Sequence, residues 1–111
     1  MQPVEEISNL LQKHLMLGNQ ELPLLATANS EEVLLGRLTE CVRYLLVHDR
    51  QRLFAAAYRM DISEDLLQQA LHSGTTDTVA LNIAALMIQR EKQKLVMRKR
   101  YQQQNNLLAD D

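Results

Sequence analysis

Four side chains in this sequence have the chemistry of a nucleophile, a general base or a soft metal ligand: Cys41, His14, His48 and His72. No two of the histidines stand at the spacing of a helical zinc site or a zinc finger. Cys41 and His48 share a face of a predicted helix, but the rise of about 1.5 Å per residue places them roughly 10 Å apart. We therefore predict no catalytic residue, no metal site and no cofactor.

Cys41 and Asp49, the residue after His48, have ordinary structural roles as the sequence predicts them. The dipeptide His48-Asp49 also occurs in metal phosphohydrolases, but that chemistry requires several further His and Asp ligands. Asp49 stands at a predicted helix boundary, where aspartate is a preferred N-cap. Cys41 lies among leucines and valines, where cysteine packs as a small hydrophobe. We predict that Asp49 caps a helix and that the Cys41 thiol is buried.

Motifs that bind phosphate or present a nucleophile are missing from the sequence. The three glycines are scattered, so that GxGxxG, GxxxxGK[ST] and GxSxG do not occur. Asp and Glu are plentiful, but they fall at helix starts and on polar faces, where capping and solvation account for them. A small enzyme with a site built from such common side chains remains an alternative function.

The length and composition predict one folded domain in the cytoplasm. The 111 residues are 46% apolar and 23% charged, as in ordinary globular proteins of this size. A single cysteine cannot form an intramolecular disulfide, which suits a reducing compartment. The first residues are acidic where a signal peptide is basic, and no apolar run approaches the roughly 18 residues of a membrane span. We expect a domain over residues 1–101, a frayed polar tail over 102–111, and no membrane partner.

Apolar residues recur every three or four positions through most of the chain, and strong helix formers are abundant. We predict an all-α fold, a compact bundle of four to five helices with a long C-terminal helix. The expected elements are a first helix over 3–17, an ordered loop over 19–28, a second helix capped at Asn29-Ser30, a short third helix after Asp49, a fourth capped by Asp61 or Ser63, and a fifth from near Asp77.

The last predicted helix changes character along its length. Its first half is broadly apolar, whereas after Arg90 only Leu95, Val96 and Met97 are apolar among basic residues. We expect this helix to leave the body of the domain near Arg90. Leu95, Val96 and Met97 then either meet a partner chain or pack on the first helix, and they are our candidate self-association surface.

The same helix carries most of the positive charge of the chain. Between Gln89 and Tyr101 the sequence has six cations and one anion, Glu91, although the whole chain has a formal net charge of −2. Such a patch is the electrostatic footprint of nucleic-acid binding, but these residues scatter around the helix axis, as in a solvated helix end. The candidate basic patch consists of Arg90, Lys92, Lys94, Arg98, Lys99 and Arg100.

The stretch from Leu38 to Arg98, with His48-Asp49 and Tyr58-Arg59-Met60-Asp61 at a helix turn, resembles a group of small uncharacterised bacterial all-helical proteins. Arg50 departs from the aromatic residue expected after the His-Asp pair in that group. The resemblance implies a bacterial cytoplasmic protein and carries no activity with it.

These observations predict a non-enzymatic helical protein–protein interaction module, in an adaptor or regulatory role. We expect it to self-associate as a homodimer or other homo-oligomer and to bind a protein partner that the sequence does not identify. The first alternative is a nucleic-acid-binding regulatory protein that uses the basic C-terminal helix, which we do not favour. The second alternative is the small enzyme with an unrecognised site.

Overall fold

The computed structural model describes the backbone of residues 3–15 and 29–109 and the side chains of 4–15 and 29–102. Within these residues the chain forms only α-helices: α1 (Pro3–Leu15), α2 (Glu31–His48), α3 (Arg50–Arg59), α4 (Glu64–Leu71) and α5 (Thr76–Ala109). The predicted all-α bundle with a long C-terminal helix is confirmed. The predicted end of the first helix at Leu17 and the predicted loop over 19–28 lie outside the described residues.

Side-chain caps begin α2 and α3. The hydroxyl of Ser30 accepts a hydrogen bond at 3.1 Å from the backbone N–H of Val33. The carboxylate of Asp49 accepts one at 3.2 Å from the N–H of Arg52. Each cap satisfies an N–H group that the start of a helix leaves without an intrahelical partner. The predicted cap at Asn29-Ser30 is therefore Ser30, and the capping role of Asp49 is confirmed.

The sequence offers two candidate N-caps for α4, Asp61 and Ser63. Ser63 is the cap, with its hydroxyl 3.5 Å from the backbone nitrogen of Leu66. Asp61 instead adopts a positive φ of 61° in the turn between α3 and α4. Aspartate tolerates this left-handed conformation better than most residues, which allows the tight reversal between the two helices.

Helix α5 is the element against which α1, α2 and α4 pack, while α3 packs on α1 and α2. Helices α2 and α5 run antiparallel, because Glu31 at the start of α2 pairs with Lys92 and Arg43 near its end pairs with Asp77. Leucines dominate the buried contacts of α1 and α2, whereas α5 contributes mainly alanine, isoleucine and methionine. The small side chains of Ala80 and Ala84 leave room for neighbouring helices beside the first half of α5.

The prediction that the last helix leaves the body near Arg90 is wrong. Met87, Glu91 and Leu95 are buried at four-residue intervals, so one face of α5 packs against the body of the domain for more than one turn beyond Arg90. The backbone is helical through Ala109, so the described part of the predicted tail, residues 102–109, continues α5 without a break. Although α5 is 34 residues long, no helix of the described residues is long and apolar enough to cross a membrane.

Candidate functional site

The three residues predicted for self-association do not share one environment. Leu95 is only 7% exposed and belongs to the core, whereas Val96 is 48% and Met97 59% exposed. Leu95 follows Glu91 by one helical turn, and Glu91 faces α1 through its contact with His14. Leu95 is therefore removed from the candidate surface, because its side chain is buried within its own chain. Val96 and Met97 remain.

Val96 and Met97 border an open groove between α2 and α5. The groove has a volume of about 670 Å³, within the range of ordinary binding clefts. Leu35, Ala85 and Ile88 supply further apolar surface to it, and its polar lining consists of Glu31, Gln89, Lys92 and Gln93. The groove is therefore shaped and lined to receive apolar side chains from a second helix. It lies beside the first turn of α2, where Glu31 accepts a hydrogen bond at 2.9 Å from Lys92.

The outer face of α5 carries an uncharged strip from the third turn of the helix to Val96, with the exposed Lys92 on the side of the strip towards α2. Ala85, Gln89, Gln93 and Val96 follow one another along this face, and all four are exposed. Gln89 lines the groove beside α2 and also two neighbouring grooves beside α4. Depletion of charge is typical of the centre of protein–protein interfaces. This face, bounded by grooves on both sides, is the surface best suited to a partner helix.

Two acidic side chains stand at the edge of the main groove. Glu31 and Glu32 occupy the first turn of α2, and both are exposed. Their position along α5 is set by the contact between Glu31 and Lys92, in which both side chains remain about half exposed. We call Glu31 and Glu32 the acidic edge.

The six cations of the candidate basic patch are divided among different surroundings. Arg90 donates a hydrogen bond at 3.3 Å to the carbonyl of Met60 and another to Gln93. Lys92 is engaged with the acidic edge, and Lys94 is half-buried near His14. Arg98, Lys99 and Arg100 lie on the exposed end of α5. The structure therefore does not bring the six together as one patch.

A buried carboxylate lies at the contact between α1 and α5. Glu91 is fully buried, and its Oε1 is 3.5 Å from Nε2 of His14. Neither oxygen of this carboxylate has a hydrogen-bond partner among the residues that the structure describes. Burial lowers the pKa of His14 below its usual 6.5, and Lys94, Arg59 and Lys13 act in the same direction, while Glu91 alone opposes them. Burial outweighs Glu91, so the neutral imidazole is favoured in the folded state.

Two arginines of α3 hold the end of α1 that carries His14. Arg52 donates from Nε to the carbonyl of Leu15 at 2.8 Å, and Arg59 donates to the carbonyl of His14. Such carbonyls have no partner inside their own helix, and cations complement the negative end of the helix dipole. These contacts position His14 against Glu91. Neither residue of the pair lines the grooves described above.

Sequence reasoning missed the burial of Glu91. We grouped this residue with the solvated basic stretch because its neighbours on both sides are polar. The available signal was the spacing of Met87, Glu91 and Leu95, which places Glu91 in the middle of the buried face of α5. A carboxylate at such a position is unusual enough to have indicated a special environment.

The remaining histidines and the cysteine do not form a reactive site. Cys41 is buried, whereas His48 is exposed and its ring stacks at 4.4 Å on that of Tyr44. His72 is exposed near the end of α4. Among the described residues no three His, Cys, Asp or Glu side chains are grouped so that they can hold a metal ion. The predicted burial of Cys41 is confirmed.

The Cys41 thiol should react slowly with thiol reagents in the folded protein. Burial raises the pKa of this thiol to about 11, with Glu40 adding to the rise and Arg52 opposing it. The reactive thiolate is therefore scarce at neutral pH, and the reagent has no direct access. Labelling should speed up by more than about tenfold in denaturant. Equal labelling rates with and without denaturant would contradict the burial of Cys41.

Comparison with known proteins finds no counterpart: no family model, no curated protein and no solved structure matches this chain.

Proposed function

We propose that this protein is a non-enzymatic helical interaction module that associates with a second copy of itself through the outer face of α5. The observation that carries the proposal is the exposure of Val96 and Met97 at the edge of an apolar groove. In this proposal the module acts in the cytoplasm as an adaptor or regulator, in a protein of the bacterial group that the sequence resembles.

The physical support for an interface comes from the combination of apolar surface and missing charge. Adjacent exposed apolar side chains beside a groove form a patch that gains free energy when it is covered, at about 25 cal/mol per Å² of apolar area. Ala85, Gln89 and Gln93 carry no charge, so covering them desolvates no ion, and the two charged residues that also line the groove, Glu31 and Lys92, already pair with each other. A helix laid along α5 would contact both features at once.

Self-association is tested by sedimentation of the unmodified protein and of a double variant, Val96→Glu with Met97→Glu. We expect the unmodified protein to form a homo-oligomer at high micromolar concentration. The double variant should be monomeric, because each copy would bring charged groups into the interface without a partner. Its helical content and thermal midpoint at low concentration should match those of the unmodified protein, since both side chains are exposed.

Val47→Glu is the matched control. Val47 is 66% exposed on α2 and lies outside the groove. This variant should associate like the unmodified protein. A monomeric unmodified protein at high micromolar concentration would contradict the proposed function, and an equal loss of association in Val47→Glu would place the interface elsewhere.

A further inference from the structure

We infer that the partner helix on this face is α5 of the second copy, antiparallel and related by a two-fold axis near Val96. In this arrangement Lys99 and Arg100 of each copy lie against the acidic edge, Glu31 and Glu32, of the other. The inference rests on the proposed self-association and adds the orientation of the two copies and the residues that select it.

The direction of the two helices follows from the distribution of charge. In a parallel pair, the basic ends of both α5 helices would lie side by side, and repulsion between like charges would oppose association. An antiparallel pair about Val96 shifts Lys99 and Arg100 of one copy by roughly 9–12 Å along the helix from the same residues of the other, at about 1.5 Å per residue. It also closes into a two-fold dimer, in which the same surface serves both copies.

The register follows from the rise of the helix. About an axis near Val96, residues 99 and 100 of one copy lie level with residues 92 and 93 of the other, because both helices rise by about 1.5 Å per residue. Lys92 is the residue that contacts Glu31 within the chain. The cations of the second copy therefore arrive at the level of Lys92, Glu31 and Glu32, three charged groups that together carry one net negative charge.

The positions of Lys99 and Arg100 around the helix axis also fit this arrangement. Lys99 follows Lys92 by two helical turns, so it lies on the side of α5 that faces α2. A two-fold axis perpendicular to the helices keeps this side the same in both copies, which brings Lys99 of one copy towards α2 of the other. Arg100 lies on the outer face together with Gln89 and Val96. Arg98 points away, roughly 200° around the helix from Val96 at about 100° per residue.

Reversing the charges on the two sides tests the arrangement. One variant carries Glu31→Lys with Glu32→Lys, and the other carries Lys99→Glu with Arg100→Glu. Each variant alone should self-associate about tenfold more weakly than the unmodified protein or worse, because two sets of attractive contacts become repulsive. An equimolar mixture should form heterodimers with the affinity of the unmodified protein, measured by sedimentation and by native mass spectrometry.

Arg98→Glu and Glu64→Lys are the matched controls, since Arg98 points away and Glu64 lies on α4, on the other side of α5. Both should associate normally. Suppose that the unmodified protein associates and that Val96→Glu with Met97→Glu abolishes this association. If the equimolar mixture then fails to recover the affinity of the unmodified protein, the antiparallel arrangement is wrong while the proposed function stands. Recovery of affinity in the mixture, with normal association of both controls, supports the antiparallel arrangement. Equal weakening of association in the controls overturns this arrangement. Absence of association in the unmodified protein overturns both.

Discussion

Replacing Leu95 with glutamate should lower the free energy of unfolding by about 3–5 kcal/mol, the usual cost of a buried charge without a partner. Leu95 is 7% exposed and belongs to the core. The new carboxylate would lie one helical turn from the carboxylate of Glu91, which is itself fully buried and without a hydrogen bond. Two like charges on the same face of a helix repel each other. Urea denaturation followed by circular dichroism measures the loss.

Met97→Glu is the control for this prediction. Met97 is 59% exposed, so the same substitution two residues later should change the stability of the monomer by less than about 0.5 kcal/mol. Both variants should be compared at a concentration below that of self-association, because association itself stabilises the folded state. Similar losses in the two variants would contradict the assignment of Leu95 to the core and of Met97 to the surface.

Replacing Glu91 with leucine should raise the free energy of unfolding by about 1–3 kcal/mol at neutral pH, because a buried polar group without a hydrogen bond carries a desolvation penalty of about that size. The carboxylate of Glu91 is removed from water on folding and gains only a 3.5 Å contact with His14 in return. Leucine fits the surrounding apolar side chains and has no polar group to satisfy. Arg98→Leu, which also removes a charge but at an exposed position of the same helix outside the proposed interface, is the control and should change stability by less than about 0.5 kcal/mol.

The protonation of His14 supplies a second measurement on the same variant. Glu91 is the group that raises the pKa of His14, against burial and three cations. In Glu91→Leu the pKa of His14 should therefore fall further below 6.5, which NMR titration of the imidazole detects. An unchanged titration would contradict the contact between the two residues.

The pH dependence of stability has a defined sign. The folded state holds the pKa of His14 below that of the unfolded chain, so the unfolded chain binds more protons and stability declines as pH falls below 6.5. Without Glu91 the protonated imidazole has no anion beside it, and this decline should be steeper. The gain in Glu91→Leu should thus be larger near about pH 8 than near about pH 5.

Local features of the fold could be predicted because their causes are local. A cap such as Ser30 or Asp49 bonds a backbone N–H only three residues away, and the apolar period of a helix is visible within a few turns. The helix number, the order of the helices and the burial of Cys41 therefore followed from the sequence alone. So did the absence of recognisable catalytic motifs, which depends only on residue type and spacing.

The tertiary structure decided which side of α5 is covered by other helices and how far along α5 this burial extends. Leu95 and Val96 are adjacent apolar residues with the same local signal, and only the packing of neighbouring helices against one side of α5 buries Leu95 and leaves Val96 exposed. The surroundings of Glu91 depend on His14, which is distant in the sequence and is held by arginines of α3. Contacts of this kind join residues from different helices, and their free energies have no local pattern that a single sequence displays.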